Sequence, residues 1–433
     1  MYFNEELSRF LLSNKKEISN ELDFIKNFNH RDEYYKIKRY LDDFLNDSID
    51  ERFIVLPGLR GVGKTTLVLQ LYQYLISEKK INPNNILYLS MDQITKVFKT
   101  DLLTVLDIFL KESHNTTRAF LKEKIFVFVD ESHFDYEWGI SGKIIYDTSK
   151  NIFLIFTGSS AVELEINGDI ARRINKEAIY PLNFKEYLLL KHNISIKSEF
   201  SKNLMKMIVF GEKEDIENVI ESEKEIHSKL LDLNNDTEIE FLNFLKTYGF
   251  PFTLNSKVEE AYKKIYTIIE NSIEKDIPSI KTFNFDTYNN IRRILIYIAL
   301  QKPEGTSSGQ LANYLSISSS TVREILDTLE KTQLIFSVKP YGESSKIIKK
   351  PWIYYFLSPS IKTAINSEMG RYDFNNPHFL ASLAENLVAI ALYKMIKTEF
   401  RLIGLFYPPN KGSSDFILRT NFDNLVPIEV GLG

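Results

Sequence analysis

The sequence predicts an α/β fold whose first large domain is a parallel sheet covered by helices on both faces. From Phe53 onward, short runs rich in β-branched and aromatic residues alternate with longer stretches of helical periodicity, at residues 53–56, 86–89, 125–129 and 152–156. This alternation is typical of parallel strands joined by crossover helices. The run at 125–129 is apolar throughout, as expected for a strand that is buried on both faces.

Composition limits the class of protein. The chain has 433 residues with 54 basic and 58 acidic side chains, a net charge of −4, and its length predicts about three domains. It has no cysteine, which excludes disulfides, thiolate metal sites and cysteine nucleophiles. Uninterrupted apolar runs such as 294–300 fall short of the roughly 18 residues that a membrane helix needs, and the N-terminus has no signal-peptide pattern. We therefore expect a soluble cytoplasmic protein without a membrane contact.

A glycine-rich loop follows the first predicted strand. Residues 58–65 read G-x-x-x-x-G-K-T, between the strand at 53–56 and a helix at 66–76. Glycines let the backbone N–H groups turn towards phosphate oxygens, and the start of the helix adds a positive field. Lys64 would supply a charge to the β- and γ-phosphates, and Thr65 a hydroxyl to Mg²⁺. The predicted ATP-binding residues are Gly58, Leu59, Arg60, Gly61, Val62, Gly63, Lys64, Thr65 and Thr66.

Two acids follow the apolar strand at 125–129. Asp130 and Glu131 would lie at the carboxyl end of that strand, where ligands of open α/β sheets bind. Asp130 is the predicted second Mg²⁺ ligand beside Thr65, and Glu131 is placed to orient and deprotonate an attacking water. The alternative that both acids cap the next turn stays open. His133 is either a third participant or a structural residue.

The glycine-rich loop has the pattern of a P-loop. One further predicted strand, at 86–89, lies between the helix that follows this loop and the strand that ends at Asp130. This layout, together with Glu131, resembles the AAA+ and related ATPases, in which the next strand ends in a polar residue that reports on the γ-phosphate. The resemblance implies that Ser159 has this role, with Thr157 as second choice. A helix N-cap by Ser159 or Ser160 is the alternative.

A cation is needed to stabilise the transition-state charge of phosphoryl transfer. Arg172 and Arg173 follow the strand end by about a dozen residues, and we predict that one of them is an arginine finger, in cis or from a neighbouring subunit. Arg60, inside the loop, is a weaker candidate.

The order of motifs resembles one prokaryotic family. GLRGVGKTT, FVFVDE, FTGSSA, ARRI and YPLNFKEYLLLK are similar to the AAA-type ATPases of the archaeal ATPase group, and the turn Gly249-Phe-Pro251 is similar to one in that group's lid. The resemblance covers roughly residues 51–433 and implies a P-loop domain, a winged helix and a nuclease-like module. The predicted domains are an N-terminal helical region (1–50), the P-loop ATPase domain (51–195), a helical lid with a solvated acidic face (196–288), a winged helix (289–357) and a PD-(D/E)xK-like α/β domain (358–433).

The winged helix is also predicted from the residues alone. Helices at 291–300, 308–315 and 320–332 precede a hairpin at 334–338 and 352–356. Predicted DNA contacts are Ser318, Ser319, Thr321 and Arg323 in the major groove, and Lys346, Lys349 and Lys350 on phosphates. The third helix also carries three acids, Glu324, Asp327 and Glu330, so docking of a protein is the open alternative.

The last predicted domain resembles the PD-(D/E)xK nuclease core, which gathers Mg²⁺ with acids from a helix and two strands. Glu385, Asp415 and Glu429 match the three acidic positions, and Gly431 stands where the family has lysine. The chain stops at Gly433, which indicates either a truncated sequence or a site without its cation. We expect a structural or DNA-holding remnant rather than an active nuclease.

The predicted function is Mg²⁺-dependent binding and hydrolysis of ATP that drives a conformational switch. The switch would regulate contact with double-stranded DNA, through the winged helix, or with a protein partner, which includes a second copy of the chain. A metal-dependent DNA nuclease with an ATPase regulator is the alternative. A small-metabolite kinase is a third hypothesis, against which the winged helix and Glu131 both argue.

Overall fold

The computed structural model describes residues 2–48, 50–159, 168–197, 199–233, 235–301, 305–343, 350–408, 414–420 and 424–431. The chain divides into two compact units, Met1–Ile179 and Tyr180–Gly433.

The first unit alternates helices and short strands. Its helices are α1 (Tyr2–Ile25), α2 (Asp32–Leu45), α3 (Lys64–Ser77), α4 (Met91–Gln93), α5 (Leu102–His114), α6 (Trp138–Thr148) and α7 (Gly168–Ala171). Its strands are β1 (Phe53–Pro57), β2 (Ile86–Ser90), β3 (Ile125–Asp130), β4 (Ile152–Gly158) and β5 (Asn175–Lys176).

The five strands form one sheet in the order β2-β3-β4-β1-β5, and every pair is parallel. All residues of β1, β3 and β4 are buried, because helices cover both faces. The predicted α/β fold is therefore confirmed. In this order β4 lies between β1 and β3, so the end of β4 separates the glycine-rich loop from the acidic pair.

The predicted N-terminal helical region consists of α1 and α2, which belong to the first unit. Leu7 and Leu11 of α1 are buried in the same apolar core as the strands. Asn14 Nδ2 donates a hydrogen bond to the carbonyl oxygen of Tyr88 on β2, at 2.9 Å. Because β2 is at the edge of the sheet, α1 satisfies a polar group that a free edge would leave exposed.

The second unit begins with a helical part and ends in a second sheet. Its helices are α8 (Phe184–His192), α9 (Glu199–Phe210), α10 (Lys213–Leu230), α11 (Thr237–Lys246), α12 (Val258–Asn271), α13 (Ile277–Ile280), α14 (Phe285–Leu300), α15 (Ser308–Leu315), α16 (Ser319–Lys331), α17 (Pro359–Glu368) and α18 (Pro377–Thr398). Its strands are β6 (Ile335–Pro340), β7 (Ile353–Phe356), β8 (Gly404–Tyr407), β9 (Phe416–Arg419) and β10 (Leu425–Ile428).

The second sheet crosses a predicted domain boundary. Its order is β10-β9-β8-β6-β7, and β6 pairs in parallel with β8 through Lys339 with Phe406 and Pro340 with Tyr407. The hairpin β6–β7 of the predicted winged helix is thus continuous with the three strands of the predicted C-terminal domain.

Residues 211–240 are rich in acids and belong to the lid for which a solvated acidic face was predicted, but one of these acids is buried. Glu240 is 2% exposed and accepts hydrogen bonds from Tyr187 Oη, His192 Nε2 and Asn235 Nδ2. Burial alone would raise the pKa of Glu240, but these three donors outweigh it and lower the pKa. This acid therefore joins α8 to α11 rather than contributing to a solvated face.

Helix α17 is polar yet buried, since its side chains cap a neighbouring helix. Lys362 Nζ donates to the carbonyl oxygen of Gln301 and Asn366 Nδ2 to that of Ala299, which satisfies carbonyls at the end of α14 that have no partner within the helix. The start of α17 also packs closely on Gly249, where a Cβ would lie 2.1 Å from Ser358 Oγ. A side chain at Gly249 would therefore require the Ser358 and Ser360 side chains to move.

Among the described residues, one helix is long and apolar enough to cross a membrane by length and composition alone. This helix is α18, whose most apolar 18-residue window has a mean hydropathy of 1.5 and is 39% buried. A search of the sequence for uninterrupted apolar runs does not find this helix, because polar residues are spaced along it. Asn386 of α18 forms hydrogen bonds with both the N–H and the carbonyl oxygen of Phe356 on β7, as expected for a helix of a protein core. The cytoplasmic location remains a prediction.

Candidate functional site

The glycine-rich loop connects β1 to α3. Gly61 and Gly63 have φ of 79° and 96°, in the left-handed region that favours glycine. A Cβ on Gly58 would lie 2.4 Å from the carbonyl oxygen of Ile179. The loop can therefore form its tight turn against the backbone of Ile179 only because its three glycines lack side chains.

The lysine of the loop points back into it. Lys64 is 6% exposed, and its Nζ donates to the carbonyl oxygens of Gly58 at 2.7 Å and Leu59 at 3.0 Å. A phosphate would offer this ammonium charged oxygens, which bind more strongly than neutral carbonyls. The chemistry of the loop therefore fits a phosphate ligand.

The Asp130 carboxylate is held by four donors. Its Oδ2 accepts from Thr65 Oγ1 at 2.7 Å and from Tyr88 Oη at 3.2 Å. Its Oδ1 accepts from Thr157 Oγ1 and from the Glu131 N–H at 3.1 Å. The structure thus brings together Thr65 and Asp130, the two predicted Mg²⁺ ligands, and their oxygens are of the kind that Mg²⁺ prefers.

Glu131 has a strained backbone at the end of β3. Its φ of 52° lies in the left-handed region, and its N–H also approaches Thr157 Oγ1 at 3.3 Å. Its Oε2 lies 3.7 Å from Arg60 Nη1 and 3.4 Å from His133 Nε2. A non-glycine residue in this region carries a conformational cost that is common at functional sites. Its position beside the loop is consistent with the water-orienting role predicted for Glu131.

The end of β4 carries both candidates for the γ-phosphate sensor. Thr157 and Ser159 are buried, but their hydroxyls differ. Thr157 Oγ1 is engaged by Asp130, whereas Ser159 Oγ is buried without a hydrogen-bond partner among the described residues. An orphaned buried hydroxyl needs a partner, and a phosphate oxygen would provide one. Ser160, the alternative cap, lies outside the described residues.

The two candidate arginine fingers differ in their contacts. Arg173 donates to both carboxylate oxygens of Asp147, at 2.7 and 2.9 Å, and to the carbonyl oxygen of Asp169. Arg172 is exposed and forms no hydrogen bond or ion pair within the described part of the chain. The structure therefore uses Arg173 to join α7 to α6 and leaves Arg172 available.

Sequence patterns did not indicate two contacts of this site. Arg31, between α1 and α2, donates through Nη1 to the carbonyl oxygen of Val62 at 2.7 Å. The hydroxyl of Tyr88 reaches Asp130 from β2, and burial followed by the charge of Asp130 raises the pKa of Tyr88 far above its usual value. A polar residue between two helices and a tyrosine in an edge strand are common in proteins. The sequence around Arg31 and Tyr88 therefore did not indicate that they belong to this site.

The predicted DNA contacts are only partly described. Arg323 is exposed and Lys350 half-buried, while Lys346 and Lys349 lie outside the described residues. Ser318 Oγ accepts from the Thr321 N–H and so caps α16. On the exposed face of α16, Glu324 and Asp327 form ion pairs with Lys281 and Lys331.

Two of the three acids of the nuclease-like region have separate hydrogen-bond partners. Glu385 accepts from Tyr355 Oη at 2.7 Å, and Asp415 accepts from the Val430 N–H at 2.7 Å. Burial raises the pKa of Glu385 to about 7. Glu429 is exposed. Within the described ranges, no three His, Asp or Glu side chains lie together so that they could hold a metal ion.

Comparisons with known proteins identify two matched regions. A family model described as an AAA domain matches residues 50–188, and one described as a domain of unknown function (DUF8612) matches residues 242–367. The uncharacterized protein MJ1637 of Methanocaldococcus jannaschii is 35% identical over 408 residues, which cover 92% of this chain and 81% of that protein.

Solved structures give weaker likenesses. The Aeropyrum pernix Orc1 protein in complex with DNA is 10% identical, with 78% of this chain and 92% of that chain covered and a TM-score of 0.32. AMPPCP-bound DnaA from Aquifex aeolicus is 12% identical, with 71% and 90% covered and a TM-score of 0.30. Scores this low do not establish a common fold.

Proposed function

Because the chain belongs to the same protein family as MJ1637 and its residues 50–188 are an AAA-type P-loop domain, we propose that it binds and hydrolyses ATP with Mg²⁺. The resulting conformational switch regulates contact with DNA or a protein partner. The observation that carries this proposal is the 2.7 Å contact between Thr65 and Asp130, beside a loop that buries Lys64.

The residues of the loop bind the triphosphate. Backbone N–H groups from Gly58 to Thr66 surround the phosphates, and Lys64 neutralises charge on them. Since the ammonium of Lys64 is already held inside the loop, little side-chain entropy is lost when a phosphate replaces the two carbonyls.

Thr65 and Asp130 are the ligands for Mg²⁺. When bound, Mg²⁺ neutralises the negative charge that develops on the phosphate oxygens. The hydroxyl and the carboxylate are within one hydrogen bond of each other, so both can reach the same cation with small movements.

Glu131 orients the attacking water and accepts its proton. The carboxylate is one quarter exposed, so solvent can reach it, and its backbone is fixed through Thr157 and Asp130. Arg60 and His133 flank the carboxylate, and His133 helps to set its orientation. Ser159 is the sensor of the γ-phosphate, since its buried hydroxyl has no other partner in the described ranges.

Arg172 completes the site of a neighbouring subunit. Its guanidinium is exposed, whereas that of Arg173 is committed to Asp147. A cation supplied in this way stabilises transition-state charge only after assembly, which would make hydrolysis depend on the oligomer.

The decisive experiment measures ATP turnover, with and without duplex DNA, for the wild type, Lys64→Ala and Glu131→Gln. We expect Lys64→Ala to lose nucleotide binding, and Glu131→Gln to bind ATP but to hydrolyse it at least about 100-fold more slowly. Glu123→Gln is a matched control, because Glu123 is an exposed acid of the same unit. Normal turnover by Lys64→Ala would refute the proposal, and phosphate release without an added acceptor counts against a kinase.

DNA contact is assigned to the region from α14 to β7, proposed as a winged helix. The exposed Arg323 on α16 and Lys350 before β7 support this assignment, while the acids on α16 favour a protein partner. Stimulation of turnover by duplex DNA, lost in Arg323→Ala with Lys350→Ala, supports DNA. Indifference of the wild type to DNA would count against DNA contact and favour a protein partner.

The nuclease alternative receives less support, because Glu385, Asp415 and Glu429 are not gathered into a metal-binding group in the described residues. Incubation with linear and nicked DNA and Mg²⁺ or Mn²⁺ tests it, with Asp415→Ala as the control. Cleavage by the wild type alone would establish this activity and revise the proposal.

A further inference from the structure

The Asp130 carboxylate lies on the central strand of three, and hydroxyls from both neighbouring strands reach it. Tyr88 comes from β2 on one side and Thr157 from β4 on the other. Leu89 of β2 is paired with Val129 and Ser90 with Asp130, so Tyr88 and Asp130 are diagonal neighbours with side chains on the same face. The two hydroxyls act on different oxygens of the carboxylate.

The hydroxyls of Tyr88 and Thr157 have a different role from the hydroxyl of Thr65. Thr65 is a proposed metal ligand, so its contact with Oδ2 changes when a cation binds. Tyr88 and Thr157 are outside the cation's own set of ligands and can keep their bonds throughout. Groups of this kind orient a ligating carboxylate and raise metal affinity.

Tyr88 is itself fixed by the N-terminal helix. Its side chain is 8% exposed, and its carbonyl oxygen accepts from Asn14 Nδ2 of α1 at 2.9 Å. On an edge strand this carbonyl has no partner from a further strand. Asn14 therefore holds the backbone position from which the Tyr88 hydroxyl reaches Asp130.

We propose that Tyr88 is a positioning residue for the metal-binding carboxylate of Asp130, and that Asn14 of α1 holds Tyr88 in place. This inference rests on the proposed function, since it requires Asp130 to bind a divalent cation. It also gives the N-terminal helix, which carries no residue of the nucleotide loop, a part in metal binding.

The test measures Mn²⁺ binding to the ADP-bound protein by electron paramagnetic resonance, and ADP binding in EDTA by calorimetry. Mn²⁺ is the probe because it favours the same oxygen ligands as Mg²⁺. For Tyr88→Phe we expect Mn²⁺ affinity to fall about 10-fold, with ADP affinity in EDTA unchanged. For Asn14→Ala, which leaves the Tyr88 ring intact, we expect a smaller loss of about threefold in the same direction.

Tyr74→Phe is the matched control. Tyr74 is also a buried tyrosine that donates to a carboxylate, that of Asp42, but it lies at the far end of α3. Its Mn²⁺ affinity should equal that of the wild type. Melting temperatures of all variants identify any general loss of folding.

The results of these measurements distinguish failure of the proposed function from failure of the role assigned to Tyr88. If the wild type binds neither ADP nor Mn²⁺, the proposed function fails. If the wild type binds both and Tyr88→Phe keeps its Mn²⁺ affinity, the positioning role of Tyr88 is refuted and the proposed function stands. A loss in Tyr88→Phe without any loss in Asn14→Ala would remove α1 from the inference.

Discussion

The hydroxyl of Thr65 lies 2.7 Å from Oδ2 of Asp130, although the two residues are 65 positions apart in the chain. Thr65 is in the first turn of α3, and Asp130 is the last residue of β3. The parallel sheet makes this contact possible, because the carboxyl ends of β1 and β3 lie on the same side of the sheet. The same edge receives Thr157 from β4, which lies between them.

Thr157→Val should weaken the metal site without removing a ligand. The substitution deletes the hydroxyl on Asp130 Oδ1 and near the Glu131 N–H, so both acids lose a fixed partner. We expect hydrolysis to fall about 10-fold with a higher Mg²⁺ requirement, and the free energy of unfolding to fall by about 1–3 kcal/mol. Steady-state turnover against Mg²⁺ concentration measures this. Thr148→Val is the control, since Thr148 bonds only its own helix among the described residues.

Gly58→Ala should disturb the loop through a steric clash. Its Cβ would lie 2.4 Å from the carbonyl oxygen of Ile179, so the loop must shift. We expect nucleotide affinity to fall at least about 10-fold, with about 1–3 kcal/mol less unfolding free energy. Gly168→Ala is the control, because no heavy atom of the described residues lies within 4 Å of its Cβ position. Equal ADP affinity of both variants, measured by calorimetry, would contradict this prediction.

Arg172→Ala and Arg173→Ala should have different effects. We expect Arg172→Ala to slow hydrolysis about 10³-fold at unchanged ATP affinity. Arg173→Ala should instead lower the melting temperature, since it removes the contacts with Asp147 and Asp169. Mixing Arg172→Ala with Glu131→Gln tests action across an interface: activity returns when one intact site forms between the two variants. No recovery on mixing would show that Arg172 does not act from a neighbouring subunit.

The stability of the second unit should depend on the charge of Glu385. Burial raises the pKa of this carboxyl to about 7 in the folded state, above its ordinary value near 4.3. The folded state therefore binds more protons than the unfolded state between about pH 4 and 7, so stability falls as the pH rises through this interval. Glu385→Gln keeps an acceptor for Tyr355 and removes the charge.

We expect Glu385→Gln to be more stable than the wild type by about 1–3 kcal/mol at pH 8. Most of this advantage should be lost at pH 4.5, where the wild-type carboxyl is protonated in the folded state and is about half protonated in the unfolded state. Urea unfolding at the two pH values measures the difference. A constant difference at both values would show that the charge of Glu385 has no part in it.

The sequence determined the local elements and the ligand types of the phosphate site. The loop motif, the strand at 125–129 and the two acids after it were readable because glycine patterns, apolar periodicity and strand ends are properties of neighbouring residues. The predicted strands of the first sheet match β1 to β4 within one or two residues.

The tertiary structure decided which side chains meet. Three side chains reach the site from segments far apart in the chain. The parallel strand order places Tyr88 and Thr157 there, and Arg31 comes from the turn between α1 and α2. The same reason applies to the second sheet, where β6 pairs with β8 across the predicted boundary at 357, and to Glu240, which is buried within an acidic stretch. Local sequence reports what a segment prefers, whereas the partners of a strand edge, a carboxylate or a hydroxyl are set by contacts between distant segments.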